Sequence, residues 1–215
     1  MDADEDSELL RRWQGGDRVA GDRLVRRHYE AVSRFFDNAV GDDRRQDLTQ
    51  RSFEKLASAK DRFRHDCSVR TYLFVLARRV LLDHFRAAYR KSNKEELDPL
   101  THTVEDIDGV TASRLVAEAQ RSRRLLTCLR ALPVDTKQLL ELYFWQDCTA
   151  EELGRVFAGP DGADPIPSGT IRRRIFDAKA QLRDCLAGSS SDEGPTPRID
   201  DELRALGGLL AQGPR

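Results

Sequence analysis

The sequence predicts an all-α protein built from two small helical domains that an acidic linker joins. Apolar residues recur at spacings of three and four, whereas Val, Ile, Thr and Tyr never form the alternating runs of a half-buried strand. Hydrophobic residues make up 39% of the 215 residues, which suffices for two small helical cores. A strongly acidic stretch with Pro and Gly interrupts the helical pattern. We therefore expect domains over 1–91 and 121–187, with a flexible linker over 92–120.

Four helices are predicted in the first domain. Ser7 is a candidate cap for a short first helix, which the Gly15–Asp17 turn would end. Three longer helices follow over about 19–36, 45–58 and 68–90. The middle of the fourth helix, TYLFVLARRVLLDHF, is apolar almost all round, which predicts a helix buried among the others.

The region after the linker is expected to hold four helices, over about 111–131, 135–144, 149–157 and 168–186. Thr149 and Glu152 form a capping-box pattern, in which a hydroxyl and a carboxylate satisfy each other's exposed backbone amides. Ser168 is a good N-cap for the last helix, after a loop rich in Gly and Pro. The tail over 188–215 is expected to be disordered, apart from a short amphipathic helix near 199–210 whose partner the sequence does not reveal.

The charges are sorted into blocks, although the net charge is only -1. The stretch from Lys60 to Lys91 carries a net +6, the stretch from Ser92 to Ala112 a net -5, and the stretch from Pro167 to Arg183 a net +4. Two cationic blocks on either side of an anionic spacer favour two contacts with a polyanion. Solvated helix faces are the alternative interpretation of the same blocks.

Cysteine and histidine spacing gives no sign of a metal site, a cofactor or a catalytic centre. The four cysteines lack CxxC or Cys/His ligand spacing and are interpreted as small buried hydrophobes: Cys67, Cys128, Cys148 and Cys185. The four histidines stand apart from any Ser, Cys or carboxylate at a recognisable catalytic spacing: His28, His65, His84 and His102. A phosphate-binding Gly-rich loop is also missing, so we expect no enzyme.

The ends and the hydropathy of the chain predict a cytoplasmic location. The first ten residues are acidic and lack the apolar run of a signal peptide. A run of about 18 apolar residues, which a membrane-spanning helix needs, occurs nowhere in the sequence. We therefore expect no membrane insertion.

The last helix of the second domain has the pattern of a DNA-reading helix. Its first turns, SGTIRRRIFDAKAQLR, follow a capped helix across a loop, as in a helix-turn-helix. Ile171, Ile175, Ala178 and Leu182 recur on one face, which should pack inward. Arginines near the start of such a helix can bind guanine, while hydroxyls and free amides bind phosphate. The candidate DNA-binding residues are Ser168, Thr170, Arg172, Arg173, Arg174 and Lys179.

A second candidate surface follows one stripe of the fourth helix. An aromatic side chain among cations suits unpaired bases, because stacking tolerates any base, and the loop before the helix could add a pocket for an extruded base. The alternative is that Tyr72 belongs to the core and Arg79 pairs with Asp83. The candidate residues of this loop and stripe are Arg64, His65, Ser68, Tyr72, Arg79, Asp83, Arg86 and Arg90.

Four segments of the sequence carry a further signal. They read DLTQRSFEKL, DRFRHDCSVRTYLFVLARRVLLDHF, ALPVDTKQLLELYFWQDCTAEELGRVF and IPSGTIRRRIFDAKAQL. In order and spacing, and in the acidic linker between them, they resemble the extracytoplasmic-function (group IV) sigma factors of the sigma-70 family, from Ser7 to Leu186. The resemblance implies an alternative sigma factor without a catalytic site, which binds core RNA polymerase and directs initiation at particular promoters.

The resemblance also assigns roles to regions and residues. The first domain would be sigma region 2, which reads and melts the minus-ten element with the loop and stripe of the fourth helix. The second domain would be sigma region 4, whose last helix reads the minus-thirty-five element. The third helix would dock on the β′ clamp helices of the polymerase through Asp47, Leu48, Gln50 and Phe53. The polymerase β flap, promoter DNA and an anti-sigma factor are the further partners that the resemblance suggests.

The sequence departs from the family pattern at three positions. Arg51 stands where an acid usually follows the glutamine, and Tyr72 replaces the usual Trp. Asp177 occupies a position that is often basic, and the loop between the two helices of the helix-turn-helix is longer than usual.

Two other classes of protein fit parts of the pattern. A helix-turn-helix regulator that binds duplex DNA on its own would explain Arg172–Arg174 but gives the first domain no task. A helical adaptor that never touches nucleic acid would treat both basic blocks as surface. Binding to core polymerase separates the sigma factor from both.

Overall fold

The computed structural model describes residues 3–37, 39–92, 119–158, 164–188 and 198–211. These residues form α-helices and one short 3-10 turn at Lys60–Arg62, which confirms the all-α class. The helices are α1 (Ala3–Gln14), α2 (Arg18–Asp37), α3 (Asp42–Ala59), α4 (Val69–Ser92), α5 (Ala119–Arg130), α6 (Val134–Phe144), α7 (Ala150–Val156), α8 (Ser168–Gly188) and α9 (Ile199–Ala211). The linker predicted over 92–120 lies almost wholly outside the described residues. None of the described helices has the length and apolar character that crossing a bilayer requires.

Helices α1 to α4 pack around a core rich in leucine and phenylalanine. Phe35 lies edge-on to Phe36, with ring centroids 5.2 Å apart, and 6.0 Å from Phe74 of α4. Leu10, Leu24, Leu48, Leu56, Leu73 and Leu81 are also fully buried here. The core therefore draws on all four helices and holds α3 and α4, the two helices with candidate site residues, in a fixed relation.

The first helix begins earlier than the sequence indicated. It runs from Ala3 to Gln14, so Ser7 lies inside α1 and does not cap it. Carboxylates in the first turn favour this longer helix, because they complement the helix dipole. One of them, Asp6, is buried and lies 2.8 Å from Nε2 of His28 on α2. The helix ends, as predicted, at the glycine turn, where Gly16 adopts a φ of 97°.

Helices α5 to α8 pack together as a bundle, and α7 and α8 are the pair that the sequence predicts as a helix-turn-helix. The capping box at Thr149 and Glu152 is present, and Ile171, Ile175, Ala178 and Leu182 face inward as expected. The long loop between α7 and α8 returns to Gly154, whose backbone carbonyl accepts a hydrogen bond from the amide of Ile166 (3.0 Å). A Cβ at Gly154 would lie 2.2 Å from the Ile166 carbonyl oxygen, so this close approach requires glycine.

The interpretation of all four cysteines as small hydrophobes is wrong for two of them. Cys128 of α5 and Cys185 of α8 form a disulfide, which links the first and last helices of this bundle. The sequence offered no sign of it, because the two residues are 57 positions apart. Cys148 is free and buried, and burial raises the pKa of its thiol to about 12. Cys67 is free and half-buried.

The helix predicted in the tail exists and has a partner. Ile199, Leu203 and Leu206 of α9 are buried, and α9 packs on α6. The indole Nε1–H of Trp145 donates a hydrogen bond to the backbone carbonyl of Leu203 (2.7 Å). The rest of the tail, 189–197 and 212–215, lies outside the described residues.

The two halves of the chain contact each other where α4 meets α6, α7 and the residues that flank α7. Arg78 of α4 pairs with Asp135 of α6 (2.6 Å) and lies over the ring of Phe157 (4.6 Å to the centroid). Arg70, two turns earlier on α4, donates to the backbone carbonyl of Gln146. Buried side chains from both halves consequently belong to one hydrophobic cluster.

Candidate nucleic-acid interface

The open cationic surface of the second domain lies on the first turns of α8. Arg172, Arg173 and Arg174 are exposed, and they follow Thr170, which is also exposed. The buried face of α8 lies on the opposite side and fixes the helix against α5, α6 and α7. An α-helix held by one face can enter the major groove with the other, where arginine reaches guanine O6 and N7.

Asp177 modifies this cationic surface but does not neutralise it. Its carboxylate accepts from Nε of Arg173 at 3.0 Å, one turn earlier. The Arg173 guanidinium also lies 6.0 Å from the ring of Phe176, which is 56% exposed. An exposed i,i+4 pair of this kind is weak. The pair therefore orients Arg173 without removing it from the surface.

Two predicted residues of α8 are less open than the arginines. Ser168 is the first residue of α8 and half-buried, so the helix begins one residue earlier than an N-cap at this position would place it. The ammonium of Lys179 pairs with the carboxylate of Asp200 on α9 at 3.0 Å, and its side chain is 18% exposed. Lys179 is thus engaged within the chain.

Three aromatic rings are in contact where the loop before α4 meets the first turn of that helix. Phe63 is buried, and its ring centroid lies 4.7 Å from that of His65 and 4.9 Å from that of Tyr72. His65 is exposed and adopts a positive φ of 58°. Tyr72 is half-buried, so its ring both packs on Phe63 and retains an accessible part.

Ser68 has a structural task in this loop. Its hydroxyl accepts a hydrogen bond from the backbone amide of Thr71 at 3.0 Å, as a cap on the first turn of α4. A second bond joins the hydroxyls of Ser68 and Thr71 at 2.8 Å. The exposed Arg64 is 86% accessible and lies 3.7 Å from the carboxylate of Asp66. Of the loop residues proposed to meet DNA, Arg64 and His65 are therefore the open ones.

The stripe along α4 is open at its far end. Among the described residues, Asp83 pairs with Lys55 of α3 (2.9 Å) and with Arg86 (3.8 Å), rather than with Arg79. Arg86 and Arg90 are exposed and Arg79 is half-buried. The link from Asp83 to Lys55 joins α3 to α4 at the surface.

The four residues proposed to contact polymerase divide into two pairs. Asp47 and Gln50 are exposed on α3, whereas Leu48 is fully buried and Phe53 is 8% exposed. Phe53 stacks on Tyr29 of α2 at 6.2 Å between ring centroids. Leu48 and Phe53 therefore hold α3 in place, and a partner would meet Asp47 and Gln50. Arg51, where the family usually has an acid, pairs with Asp47 at 3.0 Å.

Sequence reasoning missed the role of two arginines of the first cationic block. Arg70 and Arg78 were counted with the polyanion contact, but both are engaged with the second domain. The spacing of Arg70, Phe74 and Arg78 by four shows that they share a face, which is the only sign in the sequence. The cationic block of α4 is thus divided between an internal interface and an open surface.

Glu152 joins the capping box of α7 to the first domain. The hydroxyl of Thr71 donates to its carboxylate at 2.9 Å, and the Thr149 amide donates at 2.8 Å. Burial alone would raise the pKa of Glu152, but these hydrogen bonds outweigh it and hold the pKa below its ordinary value. The carboxylate is therefore kept ionised where the two halves meet.

Comparison with known proteins places the chain in a family. Residues 24–91 match the family model of sigma-70 region 2. The chain is 26% identical over 187 residues to the RNA polymerase sigma-H factor of Pseudomonas aeruginosa, covering 83% of this chain and 92% of that protein. It is 25% identical over 185 residues to the ECF RNA polymerase sigma-E factor of Haemophilus influenzae, covering 82% and 93%.

Solved structures share the fold. The first is CnrH in complex with the cytosolic domain of CnrY, with a TM-score of 0.60 at 20% identity over 88% of this chain and 100% of that one. The second is the sigma factor RpoE in complex with the anti-sigma factor NepR from Bartonella quintana, with a TM-score of 0.56 at 16% identity over 79% and 98%. The region 2 match, the full-length relatives and the shared fold agree, and the chain belongs to the extracytoplasmic-function sigma factors of the sigma-70 family.

Proposed function

We propose that this chain acts as an alternative sigma factor, which binds core RNA polymerase and directs transcription initiation at particular promoters. The observation that carries the proposal is the exposed arginine run of α8, held in a helix-turn-helix, in a chain whose first domain matches sigma-70 region 2. Neither half is catalytic in this account. The polymerase supplies the chemistry, and the chain supplies promoter recognition.

The second domain would read the minus-thirty-five element as a duplex. Arg172 and its two neighbours on α8 meet base edges in the major groove, and Thr170 with the first amides of the helix meets phosphate. Ser168 stands beside these amides, and Lys179 adds a contact once it leaves Asp200.

The first domain would bind the minus-ten element as separated strands. Tyr72 offers part of its ring for stacking, and the exposed Arg64, His65, Arg86 and Arg90 line the path of the backbone. Stacking on the aromatic rings before α4 offsets part of the cost of unpairing the bases. Asp83 is held by Lys55 of α3 and lies beside Arg86, and the half-buried Arg79 lies one turn earlier on α4.

The face of α3 with Asp47 and Gln50 would dock on the β′ clamp helices, and the second domain on the β flap. The site of action would be the cytoplasm, where the polymerase is. An anti-sigma factor is a further proposed partner, since the two solved structures described above are complexes, one of them named as that of a sigma factor with an anti-sigma factor.

Run-off transcription with purified core polymerase on genomic fragments tests the proposal. We expect discrete transcripts that require this chain and begin at sites sharing two short elements. A regulator that binds duplex DNA on its own would bind the DNA fragments in the absence of polymerase and would give no such transcripts. A transcript pattern that is the same with and without the chain would contradict the proposal.

A further inference from the structure

We propose that α9 is a cis-acting competitor of promoter DNA, which holds Lys179 of α8 through Asp200 and must leave before the second domain makes its full contact. This inference rests on the proposed function, because it assigns a regulator to the same DNA-reading surface. The helix lies at the end of the tail, outside the segment from Ser7 to Leu186 that resembles the sigma factor pattern.

Helix α9 brings negative charge to the surface of α8. The first turn of α9 is acidic, with Asp200, Asp201 and Glu202 in succession. Asp200 brings its carboxylate to 3.0 Å from the ammonium of Lys179. A carboxylate at this distance occupies the place that a DNA phosphate would take on the same lysine. Lys179 therefore exchanges one anion for another when DNA binds.

Helix α9 is held against α6 and Trp145 by a few apolar side chains and one hydrogen bond. Leu203 and Leu206 are buried, and the Leu203 carbonyl accepts the indole hydrogen bond of Trp145. Gly207 comes so close to this ring that an added Cβ would lie 2.1 Å from Cδ1 and 2.8 Å from Cγ of Trp145. The Trp145 indole thus packs directly against the α9 backbone at Gly207, where any side chain would clash with it.

This attachment of α9 is small enough to release. Within the described part of the chain, α9 packs on α6, and its buried apolar side chains are Ile199, Leu203 and Leu206. Short isolated helices are marginal in water, so α9 depends on this patch for its order. A helix with few apolar contacts and a partly exposed ion pair belongs to the less stable end of a protein.

The neighbouring glycines and aspartates supply matched controls. A Cβ at Gly208 would meet nothing within 4 Å, so Gly207→Ala and Gly208→Ala raise helix propensity alike but only the first clashes with Trp145. Asp201 is exposed beside Asp200, so Asp201→Asn removes the same charge without touching Lys179. Each pair therefore separates docking of α9 from a general change of the helix.

The experiment measures the affinity of the holoenzyme, which contains the full-length chain, for a fluorescein-labelled promoter duplex. The run-off transcription experiment supplies the sequence of this promoter. We expect Asp200→Asn to tighten binding about two- to fivefold, as befits one partly exposed ion pair, with Asp201→Asn unchanged. Gly207→Ala should tighten it at least as much, with Gly208→Ala unchanged. Tryptophan emission of the free chain should shift to the red in Gly207→Ala, because Trp145 is one of only two tryptophans and loses its cover.

The possible failures are distinct. Affinities of Asp200→Asn and Gly207→Ala equal to those of their controls would overturn the inference and leave the proposed function intact. An unshifted emission in Gly207→Ala, together with unchanged affinity in Asp200→Asn, would overturn it as well. A wild-type holoenzyme that binds no promoter would reject the proposed function itself, whatever the emission of Trp145 shows.

Discussion

Arg172 is the residue whose exposure most directly supports base recognition. It lies in the first turns of α8, and the face behind it is fixed by Ile171 and Ile175. The planar guanidinium presents its donors in a fixed geometry that matches guanine O6 and N7, so its contact can discriminate between bases.

Replacement of Arg172 by Ala is expected to cost about 1–3 kcal/mol in promoter discrimination. Transcription from promoters with single-base changes in the minus-thirty-five element measures this cost. Arg183→Ala is the matched control, since Arg183 is exposed near the other end of the same helix. Equal losses on all promoter variants for both substitutions would show a phosphate or solvent role instead.

On α3, an exposed residue and a nearly buried one allow polymerase binding and folding stability to be tested separately. Gln50 is exposed, so Gln50→Ala should weaken binding to polymerase and leave thermal unfolding unchanged. Phe53 is nearly buried and stacks on Tyr29, so Phe53→Ala should lower the free energy of unfolding by about 3–5 kcal/mol. Thermal melts followed by circular dichroism, beside polymerase pull-down, check both. A Phe53→Ala protein as stable as the wild type would contradict this packing.

Lys137 of α6 gives a pH-dependent prediction. Burial, helped by the nearby Arg130, lowers the pKa of Lys137 from its ordinary value to about 8. Below pH 8 the folded state carries a buried charge, which opposes folding, and between pH 8 and about 10.5 the folded state releases its proton before the unfolded chain does. Lys137→Met should therefore stabilise the protein most at pH 7 and lose this advantage as the pH rises towards 10.5. Urea denaturation at both pH values measures the difference, and an advantage independent of pH would contradict it.

At the scale of the helices, the disulfide is the feature with the largest expected effect on stability. Cys128 and Cys185 join α5 to α8 and close a long stretch of chain. Reducing conditions, as in most of the cytoplasm, would open such a bond unless it is protected. The second domain therefore has two forms whose stabilities differ.

Opening this bond is expected to lower the free energy of unfolding by about 2–5 kcal/mol. Urea denaturation with and without a thiol reductant measures the change, and Cys128→Ser should remove the sensitivity to reductant. Cys67→Ser is the control, because Cys67 is free. A wild-type curve that is the same with and without reductant would mean that the bond does not form.

Helix by helix, the sequence predicted what depends on local pattern and missed what depends on the tertiary partner. The capping box at Thr149 and the inward face of α8 follow from spacing alone, and the structure confirms both. Ser7 was misplaced, since α1 already begins at Ala3 and its acidic first turn includes Asp6, which is buried against His28. The pairing of Lys179 with Asp200 has no local sign, since the two residues are 21 positions apart.

For the candidate site too, the sequence predicted the features that depend on local pattern and missed those that depend on a tertiary partner. Residue type and helical period predicted the exposed arginines of α8 and the aromatic ring of Tyr72 at the start of α4. They could not show that Arg70 and Arg78 are bound to the second domain, because charge counts do not reveal which face of a helix is covered. Nor could they show that Ser68 is occupied as a helix cap.

For the whole molecule, the contacts of α4 with α6 and α7 bring the two halves together. Arg78 of α4 forms an ion pair with Asp135 of α6, and Thr71 of α4 donates a hydrogen bond to Glu152 of α7. The exposed ends of the two cationic blocks, around Arg86 on α4 and Arg172 on α8, remain on the outside. Two open polyanion surfaces on one chain are what the sigma factor account requires.

Co-elution with core RNA polymerase tests the central claim most directly. Full-length chain is mixed with purified core enzyme at low salt and separated by gel filtration, with Gln50→Ala beside the wild type. We expect the wild type to elute with polymerase in equal molar amount and a smaller share of Gln50→Ala to elute there. A folded wild-type chain that elutes wholly apart from polymerase would contradict the account.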